Sequence, residues 1–237
     1  TVVATTTLAL DGILSTKADV STTSVQSTTV QGKKVDEVVI HGKAAKGIIL
    51  NAKIRAVEIV DGKMNGIVRE VEINSSGDFS ISMPKGVILL QVVTRKGSIE
   101  KDEALGVDVP LPLNFSFRAA VDLVNIPTKS VAINITAYSE IAVILAEKNG
   151  GLLAENINRA NSGIANILGV DFISTKIIQS NDAVGLVGAT QAEKKMALLN
   201  AAVAQMASTD KMGCGVMQTY GEVINCTISK FAAEFNS

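Results

Sequence analysis

The sequence predicts an α+β protein in three parts: an extended N-terminal arm over 1–34, a β-sandwich over 35–127 and a small α-helical domain over 128–237. Three observations predict it. Apolar residues alternate with period two through most of residues 35–124, and they shift to helical spacing beyond Pro127. Apolar residues make up 47% of the 237-residue chain but aromatics only 3%, with no Trp, so a sizeable core must be built from Ile, Val, Leu and Ala.

The arm is rich in Thr, Ser, Val and Ala. Val2, Ala4, Thr6, Leu8 and Leu10 share one face of a strand, and Thr1, Val3, Thr5, Thr7 and Ala9 the other. The arm is too sparse to form a core alone, so it needs a sheet edge. That edge lies either in a neighbouring subunit or in its own domain, through a hairpin turning at Asp11-Gly12. The chain starts without Met, and removal of upstream residues such as a signal peptide is expected.

The first body strand is Glu37–His41. Ile48, Leu50, Ala52, Ile54 and Ala56 alternate with Ile49, Asn51, Lys53 and Arg55 as one half-buried strand, followed by the hairpin signal Asp61-Gly62. Ile67, Val71 and Ile73 make the next strand, and Asn74-Ser75-Ser76-Gly77 turns the chain. Phe79, Ile81 and Met83 form an inward face ended by Pro84, and Val87–Val93 suits a central strand. Lys96–Glu103 reads as a charged loop. Beyond the extended Pro110-Leu111-Pro112, the residues from Leu113 to Leu123 alternate as one long strand, and Val131, Ile133 and Ile135 as a last one.

Thr136 opens the helical part as an N-cap for Tyr138, Ile141, Ala142 and Leu145, and Asn149-Gly150-Gly151 stops that helix. Leu153, Ile157, Ala160, Ile164 and Ile167 form a second stripe, stopped by Gly169. Phe172–Gly188 reads as a long connection. Thr190 and Glu193 have capping-box spacing before a third helix, and residues 216–231 carry a fourth apolar stripe.

Several of these signals together resemble a known family. Gly42-Lys43-Ala44, Gly47, the Ala52–Val57 strand and Gly77-Asp78-Phe79 before an apolar strand look like the carboxypeptidase-regulatory or transthyretin-like β-sandwich, an Ig-like architecture. The segment from Asn156-Ile157 to Asp171 is similar to a helix that follows such sandwiches in exported bacterial surface proteins. The resemblance spans about residues 37–237, leaves the arm outside, and implies no catalytic residues.

The formal net charge of −1 gives no electrostatic reason to bind nucleic acid or an anionic membrane. The apolar runs are of strand length, short of the roughly 20 residues that span a bilayer. Cys214 and Cys226 are the only cysteines and His41 the only histidine, too few for the usual zinc ligand set. A Cys214–Cys226 disulfide, formed in an oxidising compartment, is expected, with two buried thiols as the alternative.

His41, flanked by Ile40 and Gly42 in a strand, reads as structural rather than as a general base. Glu100, Asp102, Glu103 and Asp108 supply oxygen ligands at a density that could hold Ca²⁺, but the interleaved Lys96 and Lys101 favour a solvated loop. Asn-x-Ser/Thr sequons stand at Asn74, Asn114, Asn134 and Asn225, and Asn74, in a turn, is the best candidate acceptor.

The expectation is a non-catalytic, cofactor-free, extracellular or cell-surface structural protein, with no membrane span in the mature chain. It would assemble with itself into a filament or surface layer by exchanging the arm strand. The alternative is a monomeric, surface-anchored adhesin or ligand-binding module. An enzyme reading would need a pocket joining His41 to convergent carboxylates.

Overall fold

A computed structural model describes residues 36–102, 106–215 and 219–234. The expected assembly strand, Val2, Ala4, Thr6, Leu8 and Leu10, lies outside the described residues, as does Glu103 of the acidic segment. The described chain is α+β. Its strands are β1 (Glu37–Lys43), β2 (Ile48–Leu50), β3 (Lys53–Ile59), β4 (Val68–Glu72), β5 (Asp78–Pro84), β6 (Val87–Val93), β7 (Ile99–Lys101), β8 (Asp108–Pro110), β9 (Arg118–Asp122) and β10 (Ser130–Ala132). The helices follow: α1 (Ala137–Lys148), α2 (Ala154–Leu168), α3 (Ala183–Val187), α4 (Gln191–Ser208) and α5 (Tyr220–Glu234).

The strands form three sheets, ordered β10–β1–β5, β2–β7–β8 and β4–β3–β6–β9. All pairings are antiparallel except β10 on β1, which is parallel with His41 opposite Ala132. The nearly all-apolar β6 is central, Leu90 facing Ala56 of β3 on one side and Ala119 of β9 on the other. The Asp61-Gly62 hairpin forms as its residues predict, with φ of 52° and 74°. At the next turn Asn74 Oδ1 accepts from the Ser76 and Asp78 amides, and Gly77 has φ of 80°.

Helix ends follow their signals. Thr136 and Ser139 close a capping box on α1, Thr190 and Glu193 close one on α4, and Gly169 caps α2 in the left-handed region. The Tyr138 hydroxyl, pushed up in pKa by burial, donates to Leu199 O of α4 at 2.8 Å. One apolar core runs unbroken from the strands into the helices, joining Ile54, Leu90 and Phe117 to Ile141, Ile157 and Ile224.

The connection expected over Phe172–Gly188 contains the short helix α3, N-capped by Asp182, and four other expectations change. The strand expected across Ile48–Ala56 breaks at Asn51, whose φ of 56° an extended strand cannot hold, and β2 and β3 therefore join different sheets. Of the long strand expected from Leu113, only β9 forms: Leu113 is 73% exposed, while Phe115 and Phe117 pack ring to ring at 4.6 Å. In α2 it is Leu168 that is buried, and Ile167 points outward. Lys96–Glu103 is not a solvated loop throughout, because it contains β7 with Glu100 and Asp102 buried.

Candidate functional site

The β2–β7–β8 sheet is built around a charge cluster. Residues 44–49 (AAKGII) are an apolar run with one lysine in it. Ala45 bridges to Ile48, so Lys46 and Gly47 form the tight turn between β1 and β2. Gly47 is needed there for space: a Cβ on it would lie 1.7 Å from Lys101 O. The turn can therefore press against the backbone of β7, and Lys46 points inward beside it.

On β7 the period of two does the rest. Glu100 and Asp102 lie on one face of the extended chain, and Lys101 on the other, exposed. Glu100 sits opposite Ile49 of β2 and Val109 of β8, so both carboxylates face the core side of the sheet. Lys46 Nζ lies 2.8 Å from Glu100 Oε1 and 2.6 Å from Asp102 Oδ2, and all three side chains are fully buried. The Gly47 amide also donates to Glu100 Oε1, at 3.0 Å. Glu100 Oε2 is buried and has no hydrogen-bond partner among the described residues.

Burying three charges with one cation between two carboxylates is costly unless the cluster sheds charge. Burial pushes the Glu100 carboxyl above its ordinary value. The Lys46 charge and hydrogen bonding pull against that rise, and the Asp102 charge adds to it. A protonated Glu100 beside a Lys46–Asp102 pair leaves the cluster electrically neutral. The lysine ammonium lies between the two carboxylates.

His41 lies elsewhere, at the wall of a cavity of about 360 Å³ that Lys43, Asp78, Asn134, Ser174 and Ile177 also line. Its Nδ1 shares a hydrogen bond of 3.1 Å with Ser130 Oγ on the adjacent β10. Among the described residues of that wall the one carboxylate is Asp78, which pairs with Lys43 Nζ at 2.7 Å. The convergent carboxylates that an acid–base pair with His41 requires are not among the described residues of this lining.

Cys214 and Cys226 form a disulfide, linking the segment after α4 to the middle of α5. Asn74 is exposed in its turn, whereas the sequon residue Asn134 is buried, its amide donating to Thr175 O. Arg118 of β9 fastens sheet to helices, its Nη2 2.6 Å from Glu140 and its Nη1 2.6 Å from Glu147, both on α1.

Among the described residues no helix is long and apolar enough to cross a membrane, and no group of three or more His, Cys, Asp or Glu is arranged to hold a metal ion. The sequence reading missed Lys46, although a lysine inside an otherwise apolar six-residue run was the available signal. No protein-family model matches the chain, and no curated protein or solved structure matches it either.

Proposed function

We propose that this chain is an extracellular structural subunit that assembles with copies of itself, adding its arm as a strand to an open sheet edge of a neighbour. The observation that carries the reading is the strand alternation of Val2–Leu10, in a segment too thin to fold alone. The body supplies edges for it: β4 ends its sheet, with Val68 exposed on it and Ile67 just before it. The disulfide is compatible with an oxidising, extracellular setting. We read the β region as a sandwich of the transthyretin-like kind. In support, Gly42, Gly47 and Gly77 of the resemblance stand where a side chain would collide with a neighbour.

Electron microscopy of the purified chain is expected to show polymers, and a variant lacking residues 1–31 folded monomers. A truncated protein that polymerises like the full chain refutes strand exchange by the arm. The cavity beside His41 favours a second reading, a monomeric surface module that binds a small ligand. A full chain that stays monomeric in light scattering at high concentration supports that one instead.

A further inference from the structure

We propose that Lys46 and Asp102 join covalently, the lysine amine and the aspartate carboxyl condensing to an amide inside the folded chain, with Glu100 as the proton shuttle. The inference is independent of how the arm is used.

The geometry is that of a reaction complex. Lys46 Nζ is held 2.6 Å from Asp102 Oδ2, one bond away from the carbon it would attack, across 56 positions of sequence. Such fixed proximity replaces an encounter between separate molecules and is worth several orders of magnitude in rate. A third group that can take and return a proton, Glu100 Oε1, lies 2.8 Å from the same nitrogen. The cluster has no exposed surface, so the ionic forms that make condensation unfavourable in water lose their solvation here, and the water released leaves a dry site.

The step balances without any co-reactant. The Lys46 ammonium passes one proton to the Asp102 carboxylate, giving a neutral amine and a neutral acid. The amine lone pair attacks Cγ and the Nζ–Cγ bond forms. Glu100 takes a proton from the nitrogen and delivers one to the departing hydroxyl. The Cγ–O bond breaks, and one water leaves. Nothing is oxidised or reduced, and the chain ends with one amide in place of an ammonium and a carboxylate.

Two local features suit this role better than that of a simple ion pair. Glu100 spends a buried carboxyl on a lysine that Asp102 already neutralises, and its Oε2 is left without a partner among the described residues. A proton on Glu100, which burial favours, equips it to act as an acid toward the leaving oxygen. Gly47 then accounts for the approach, because any larger residue would hold the turn off β7.

The test is intact mass of the full chain, measured in denaturant after reduction and alkylation of the two cysteines. The expected mass is lower than the sequence requires by one water, and digestion yields one branched peptide joining the segments of Lys46 and Asp102. K46R and the near-isosteric E100Q are expected to carry the full mass. A wild-type chain of full mass overturns the proposal, and that measurement needs no variant to fold. A water loss accompanied only by linear peptides marks a cyclised aspartate and also overturns it. A branched peptide in E100Q refutes the part given to Glu100.

Discussion

Replacing both Cys214 and Cys226 with Ala tests how the C-terminal helices are held. The two residues are 12 apart in sequence, and constraining a loop of that length in the unfolded chain is worth about 3 kcal/mol. Alanine is the right replacement because Cys214 is fully buried, and a serine hydroxyl there would add a desolvation cost of its own. The loss should be global rather than confined to α5. Ile224, Ile228 and Ala232 of that helix lie in the shared core, and Gly221 sits close enough to Pro112 that a Cβ would fall 2.2 Å from its ring. For a chain of this size the loss lowers the unfolding temperature by about 6–12 °C. With two Tyr and no Trp, far-ultraviolet circular dichroism through a urea titration is the suitable probe. Reducing the wild-type protein should reproduce the variant's shift. A difference below about 1 kcal/mol, in variant and reduced protein alike, would refute the loop-closure argument and mean the unfolded segment is already restricted.

Two further outcomes follow from other contacts. G47A forces the turn away from Lys101 O, which should destabilise the fold on the order of 2 kcal/mol in urea titration and leave the chain at full mass in the cross-link assay. Glu37 accepts from Arg69 and from Ser82, and these bonds hold its carboxyl below its ordinary 4.5. Its contribution is thus present above pH 4.5 and lost as pH falls through the lower folded value; an NMR titration should place its midpoint below 4.5, and R69Q should raise that midpoint, with the Ser82 bond still holding it down.

Local chemistry made much of this fold legible. Thr136, Thr190 and Gly169 are of residue types that favour helix caps and cap helices here, and Asp61-Gly62 and Asn74–Gly77 turn the chain because their backbones tolerate what a turn demands. What escaped depends on distant partners. Alternation through Ile48–Ala56 has no mark for the left-handed Asn51 that sends its two halves to different sheets. The parallel placement of β10 on β1 is set by how the chain returns after β9, which no local pattern encodes. Glu100 and Asp102 read as solvated because acidic residues beside lysines usually are. Their burial follows from Lys46, more than fifty residues away, and only the fold brings the three together.

The place of β1 has a mechanical meaning. A tension applied through the residues that precede Glu37 would enter the body along the axis of β1, which is bonded on both flanks, to β5 over seven residue pairs and to β10 over three. Such a load shears both ladders at once instead of peeling them bond by bond. Just past the end of β1 the chain reaches Lys46. If that residue is tied to Asp102, extension stops there, and the strands between 46 and 102 stay slack while the load passes across the amide. On the side before Lys46, the ladders of β1 would then be the elements that bear the load.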